Sequence, residues 1–457
     1  MTNATMTNAG PTADALAIWQ AGVAAVRSER LVRNCLEVVG SQLQVADRIF
    51  DLASLGRIAV VGAGKAGAGM AAAVEAALGP QVVAGKVIGW VNVPADCVRT
   101  LSKIHLHAAR PAGVNEPTRE GVAGSEAILN LVGTLGPNDL CLVLISGGGS
   151  ALLPAPVEGV SLADKAAVTR LLMHRGATIN ELNTVRKKLS RIKGGGLARM
   201  TRAGSIITLI ISDVIGDPLD VIASGPTVED AAFPNEALQV LRRFAPRPED
   251  VPASVWSALE RAATRPAAIR ISAKVDNIVI GNNAVALEAA ASKARELGYQ
   301  VHSLGSNNQG EAAEVGRDLL KVCQSIRDKQ SPGSLSCCVL SGGEPIVQLT
   351  PHMGPRKGGR NQHLVLAAAE AAWNAGLGGI VLLSGGTDGE DGPTDAAGAW
   401  VNDDILATSR KLQIAPAADL AIHNAYHFFE TTGGLLQTGP THTNVMDLRV
   451  GIIPSAR

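Results

Sequence analysis

The chain has 457 residues, 46% hydrophobic and 18% charged, with 41 basic against 41 acidic side chains. It is long enough for two or three buried cores, and its zero net charge excludes a global field that would draw it to nucleic acid or an anionic membrane. An aromatic share of 3% argues against a platform for stacking bases.

The N-terminal residues lack a basic segment followed by an apolar one, and no stretch has eighteen uninterrupted apolar residues, so we expect a cytoplasmic protein with no membrane partner. The six cysteines contain no C-x-x-C pair and are read as reduced. Residues 13 to 50 carry apolar side chains at helical spacing (Leu16, Trp19, Val23, Val26, Leu31, Leu36), which predicts helices ahead of the first sheet strand. Ile58 to Val61 then runs into Gly62-Ala63-Gly64-Lys65-Ala66-Gly67 and an Ala-rich helix. This is strand, glycine turn, helix, and it satisfies G-x-G-x-x-G. A nicotinamide site would also need an acid at the end of the next strand, and the stretch from Gly85 to Pro94 has none. The alternative is that the glycines only let a helix pack on a strand. Lys65 opposes the dipole of the helix it precedes, which suggests a bound anion there.

Leu140 to Ile145 is a second strand, entering Ser146-Gly147-Gly148-Gly149-Ser150, where three glycines let amides close on a phosphate; a flexible turn is the alternative. Asn183 to Lys193 reads as one basic helix ended by Gly194 to Gly196. Ile206 to Ile211 leads into Ser212 and Asp213. Four prolines (Pro246, Pro248, Pro252, Pro266), with Pro234 upstream, place a domain junction near 250. Beyond it Ile278 to Ile280 enters a helix capped near Asn282, and Cys337 to Leu340 runs into Ser341-Gly342-Gly343, with Ile346 to Leu349 as a short partner strand. Cys337 and Cys338 would point to opposite faces of their strand. Gly354 to Gly359 delivers Arg360 to the start of a helix. Ile380 to Leu383 enters Ser384-Gly385-Gly386 and a loop with Asp388, Glu390, Asp391 and Asp395. Four carboxylates past a strand end point to a divalent metal or a general base, or to a solvated acidic turn. Asp388 is closest to its strand and is expected to act, with Glu390 and Asp391 farther along a flexible turn.

Cations at helix starts (Lys65, Arg360), glycine loops and separated carboxylates (Asp213, Asp388) are the parts phosphoryl transfer requires. Neither a Walker motif nor a protein-kinase signature is present. The segments VVGAGKAG, LISGGGSALL, LNTVRKKLSRIKGGGLA, ISDVIGDPLDVIASGPT, GGRNQ, SGGTDGEDGPTDAAGA and TGPTHTNV resemble the class II glycerate kinases, the MOFRL family. The resemblance spans nearly the whole chain. It implies an α/β fold of two Rossmann-like domains around a central cleft, divided at 1–250 and 251–457, and ATP-dependent phosphorylation of D-glycerate to 2-phosphoglycerate with Mg²⁺. Lys65 and Arg360 would be the catalytic cations, and both are expected to be removable without loss of the fold. Asp213 and Asp388 would be the catalytic and metal-binding carboxylates. Gly62, Gly64, Ser146, Gly147, Gly148, Gly149, Ser150, Ser341, Gly342 and Gly343 are the expected phosphate contacts, and Asn183, Arg186 and Lys187 the expected substrate contacts. Glycerate is the expected partner, nucleic acid is not, and self-association is left open. Two segments depart from the family pattern, Ala109 to Val114 and His423 to Tyr426, and one branch of the family carries the label hydroxypyruvate reductase, the rival reading.

Overall fold

The computed structural model describes residues 10–114, 116–230, 235–264, 271–350 and 354–455. Its contacts divide the chain into Ser28–Ile280 and a second unit made of Met1–Arg27 with Gly281–Arg457. The first unit opens with the short helix Ser28–Arg33, followed by three short antiparallel strands, β1 (Leu36–Val39), β2 (Gln42–Val45) and β3 (Arg48–Asp51). Of the helices expected over residues 13 to 50, Pro11–Ala25 and Ser28–Arg33 form, and strands stand in their place from Leu36 onward. The two turns sit at Gly40 and Ala46, both with positive φ, and Leu36, Leu43 and Val45 are the buried positions of the strands.

The main sheet of this unit has β4 (Ile58–Ala63), β5 (Val87–Pro94), β6 (Ile104–Arg110), β7 (Leu140–Ile145), β8 (Ser205–Ile211) and β9 (Lys274–Gly281) in the order β6-β5-β4-β7-β8-β9. The pairings of β4 through β8 are parallel. This is the doubly wound order, and it reverses between β4 and β7, where α/β sheets bind ligands past the carboxyl ends of their strands. β4 and β7 are buried at every position, which explains why both read as unbroken apolar runs. A separate small core joins the helices Leu162–His174, Ile179–Lys188, Glu236–Phe244 and Ala253–Thr264.

The second unit has β10 (Gln300–Ser303), β11 (Cys337–Gly343), β12 (Val381–Gly386), β13 (Gly398–Val401), β14 (Leu435–Leu436) and β15 (Asp447–Ile453), ordered β10-β11-β15-β12-β13-β14. Here the sheet is mixed. β10 and β11 are parallel, and β15 returns antiparallel to both β11 and β12. One face packs on the helices Ala312–Asp328 and Arg360–Ala371, the other on Pro11–Ala25 and Asn283–Glu296. Cys337 lies in the first core and Cys338 in the second, as strand alternation requires. Ile346 makes only an isolated bridge to Glu311, so the strand expected from Ile346 to Leu349 does not form.

The compact units divide elsewhere than at 250. β9 lies beside β8 at the edge of the first sheet, and the helix Ala253–Thr264 packs within the first unit's helical core. The helix Pro11–Ala25 buries Ile18, Trp19 and Val23 against the second sheet. Pro234 and Pro266, part of the basis for placing the junction, lie outside the described residues.

Candidate active site

In the first unit β4 and β7 pair in register, Gly62 opposite Leu144 and Ala63 opposite Ile145. The glycines of the first turn answer to that closeness. A Cβ on Gly62 would lie 1.9 Å from the Leu144 carbonyl oxygen, and one on Gly64 1.9 Å from Ser146 Oγ. Gly67 faces Val91 and Val93 at 3.0 and 3.2 Å. All three therefore have packing roles. The two loops are also tied to each other: Lys65 N donates to the Gly147 carbonyl at 2.9 Å, and Ala66 N donates to Ser146 Oγ at 3.0 Å.

Gly148 turns with φ of 77°, and a Cβ there would stand 3.0 Å from Arg110 Nη2 and 3.9 Å from Lys65 Cγ. Two cations thus flank this turn. β8 ends beside β7, Ile210 opposite Ile145, which puts half-buried Asp213 just past the same edge. Gly149 is enclosed by Ala63 and Ala223.

Ser150 gathers further cations. Lys193 Nζ reaches its Oγ at 2.6 Å and its carbonyl at 3.1 Å, Arg186 Nη2 reaches Oγ at 3.2 Å, and Ser224 Oγ lies 3.2 Å away. Burial and the Arg186 charge lower the Lys165 ammonium to about 8. Burial, then Arg186 and Lys165, hold Lys193 well below the usual lysine range. Lys187 turns the other way, to Asp220 at 3.2 Å and Asp230 at 4.0 Å, and Asn183 is buried on the same helix.

The sequence reading missed Arg110, Lys165 and Lys193. Lys193 was read as part of a continuous helix, but the helix ends at Lys188. There the backbone pairs instead with the segment before it, Val157 N to the Leu189 carbonyl and Arg191 N to the Ala155 carbonyl. That pairing frees the following turn to aim Lys193 at Ser150.

In the second unit the Ser-Gly-Gly segments are not loops. Ser341, Gly342 and Gly343 lie inside β11 opposite Arg449, Leu448 and Asp447, and Ser384, Gly385 and Gly386 lie inside β12. Their strands' ladders engage this backbone, and Ser341 Oγ accepts from Arg449 Nη1 at 3.1 Å. A Cβ on Gly342 would fall 1.7 Å from Asn283 Oδ1. Ser341, Gly342 and Gly343, expected to contact phosphate from a loop, thus lie in a paired strand and not in a turn of the Ser146 to Ser150 kind.

Arg360 begins its helix as expected, but it is held rather than free. Its Nε and Nη2 donate to the two oxygens of fully buried Asp447 at 2.7 and 3.0 Å, and Nη1 lies 2.8 Å from Glu344. Burial raises the Glu344 carboxyl, Arg360 opposes this, and the Asp447 and Asp388 charges raise it further. Asp388 follows β12 and is half-buried, its Oδ1 accepting from Glu390 N at 3.1 Å. Glu390 is exposed.

Asp391 is not on a flexible turn. It is buried, and it accepts from Asn361 N at 3.0 Å, Asn361 Nδ2 at 3.2 Å and Gln362 N at 2.8 Å, closing the start of the helix that carries Arg360. Burial pushes its carboxyl up to about 7 against the pull of the donating amides. Among the described residues no group of three or more His, Cys, Asp or Glu is arranged to hold a metal by itself.

A doubly wound sheet with cations at its switch point in one unit, and in the other a mixed sheet with a guanidinium held among carboxylates, define an α/β protein of two units with a candidate anion site. Residues 14–260 match the family described as "Domain of unknown function (DUF4147)" and residues 337–447 match the MOFRL family. The chain belongs to the glycerate kinase family. It is 38% identical to a glycerate kinase of Homo sapiens over 94% of this chain and 91% of that one. It is also 42% identical, over 87% of each chain, to a protein of Agrobacterium vitis named putative hydroxypyruvate reductase. A solved structure of glycerate kinase from Thermotoga maritima superposes with a TM-score of 0.81 at 33% identity, covering 96% of this chain and 99% of that one.

Proposed function

We propose that the protein phosphorylates D-glycerate to 2-phosphoglycerate, with ATP as donor and Mg²⁺ as its metal. The observation that carries this reading is the end-to-end likeness, in sequence and in structure, to proteins named glycerate kinase. The site chemistry agrees with it. Lys65 and Arg110 beside Gly148 suit developing negative charge on a transferred phosphoryl group, and Asp213 and Asp388 are half-buried carboxylates just past strand ends.

A bound Mg²⁺ would be held by Asp213 and Asp388 and would neutralise phosphate charge. It needs only one or two protein carboxylates when phosphates complete its shell. In the transfer, the glycerate hydroxyl oxygen forms the new bond to the γ-phosphorus, its proton passes to a carboxylate, and the bond to the departing diphosphate breaks. We assign the proton to Asp388.

The name carried by the Agrobacterium vitis relative supports a second reading, a nicotinamide-dependent reductase. Against it stands the end of β5, where Asn92 takes the place of a ribose-binding acid. Asn92 is fully buried, and its Nδ2 donates inward to the Leu152 carbonyl at 2.8 Å. Phosphorus NMR after incubation with ATP, Mg²⁺ and D-glycerate is expected to show 2-phosphoglycerate, and hydroxypyruvate is expected to cause no oxidation of NADH or NADPH. Nicotinamide-dependent turnover by the pure protein without phosphoryl transfer would replace this reading with the reductase.

A further inference from the structure

Lys193 is 4% exposed, and a buried ammonium is costly unless an anion offsets it. None of Lys165, Arg186 or Lys193 has a carboxylate within ion-pair distance among the described residues. The side-chain hydrogen bonds of Arg186 and Lys193 go instead to Ser150, a neutral residue. Neighbouring basic residues on the same stretch behave differently. Lys187 and Lys188 both pair with Asp230, and Arg191 pairs with Glu126. The missing counter-charge is therefore local to Ser150. A few residues back in the same loop, Gly148 carries Arg110 and Lys65, so the cations follow the chain from Gly148 to Ser150.

We propose that Arg186 and Lys193 form, around Ser150, a subsite for the polyphosphate chain of the nucleotide, with the charge of Lys165 added to theirs and the Lys65 and Arg110 end of the loop continuing it. Charge decides between this and a carboxylate site. A carboxylate brings one negative charge, whereas a diphosphate or triphosphate brings several, spread over a chain long enough to follow a loop. A substrate carboxylate would leave most of the cluster uncompensated. The assignment moves Arg186 from the acceptor to the donor side of the reaction, and it rests on the kinase reading only for the identity of the polyphosphate.

Isothermal titration of the full chain with tripolyphosphate, ADP and D-glycerate, without turnover, tests it. Lys193→Met and Lys165→Met should each weaken tripolyphosphate and ADP by about tenfold or more, with D-glycerate affinity changed by less than about twofold. The melting temperature of Lys193→Met should hold or rise, because the substitution removes a buried cation from among others. Loss of D-glycerate binding with tripolyphosphate unaffected would make this the acceptor's carboxylate site and overturn the proposal. Unchanged affinity for every ligand would make the cluster purely structural. If Lys193→Met does not fold, half-buried Lys165 decides by the same titrations. Tripolyphosphate binding that depends on these lysines, in a protein that forms no 2-phosphoglycerate, would sink the kinase reading and leave the subsite standing.

Discussion

At the scale of the residue, the two cations proposed to be catalytic differ in how they are held. Lys65 projects from a turn whose backbone is tied down by other groups, so Lys65→Ala should lower kcat by a hundredfold or more, about 3 kcal/mol in the transition state, with little change in melting temperature. Arg360 is the bidentate partner of an Asp447 with no exposure of its own. Arg360→Ala leaves that carboxylate buried with Arg449, at 4.0 Å, as its one cation among the described residues, and should cost about 3–5 kcal/mol of stability. This revises the expectation that both cations could be removed without harm to the fold. Arg360→Lys keeps the charge and loses the fork geometry, and should fold better than Arg360→Ala yet turn over slowly. Denaturant unfolding beside steady-state kinetics separates the two effects, and an Arg360→Ala protein as stable as the parent would show that Asp447 does not depend on it. Asp388→Asn should abolish turnover while exposed Glu390→Gln stays near-normal. Equal failure of both variants across a Mg²⁺ titration would mean the proton acceptor is misassigned.

At the scale of the element, the glycine motif of the first turn is a packing device as much as a loop signature. β4 can lie beside β7 because Gly62 brings no side chain against the Leu144 carbonyl. Gly62→Ala forces two central strands apart, at a cost of about 3 kcal/mol or more. The expected result is a lowered denaturation midpoint together with lost activity. A normal midpoint with only nucleotide affinity lost would return the glycine to a purely ligand-facing role. The same reasoning separates loops that look alike in sequence. Ser146 to Ser150 follows the end of β7 and leaves a turn with cations beside it. Ser341 to Gly343 has the same composition, but β15, about a hundred residues later, pairs along it to the last glycine. Nothing local to Ser341 announces that partner.

At the scale of the whole molecule, the first helix belongs with the last sheet. Trp19 is 1% exposed, and its Nε1 donates to the Gly385 carbonyl at 3.3 Å. Trp19→Ala should therefore destabilise the unit built from Gly281–Arg457 by about 3–5 kcal/mol, and the unit Ser28–Ile280 much less. Hydrogen exchange resolved along the chain checks this. Uniform deprotection of both units, or greater deprotection of Ser28–Ile280, would contradict the division.

The sequence by itself determined the local features. Apolar runs marked β4, β7, β8, β11 and β12, because strands covered on both faces need no polar alternation. Glycines marked the turns, Asn282 the start of its helix, and the long motifs the family. It could not determine which donors, acceptors and charges would be left over, since their partners come from distant segments. Asp391 lies four residues from Asp395, yet one is buried under a helix start and the other is exposed. Lys187 and Lys193 are equally basic in the sequence, yet carboxylates claim the first and the second is aimed at Ser150. A site is made of groups the fold leaves unspent, and only the complete set of tertiary contacts identifies them.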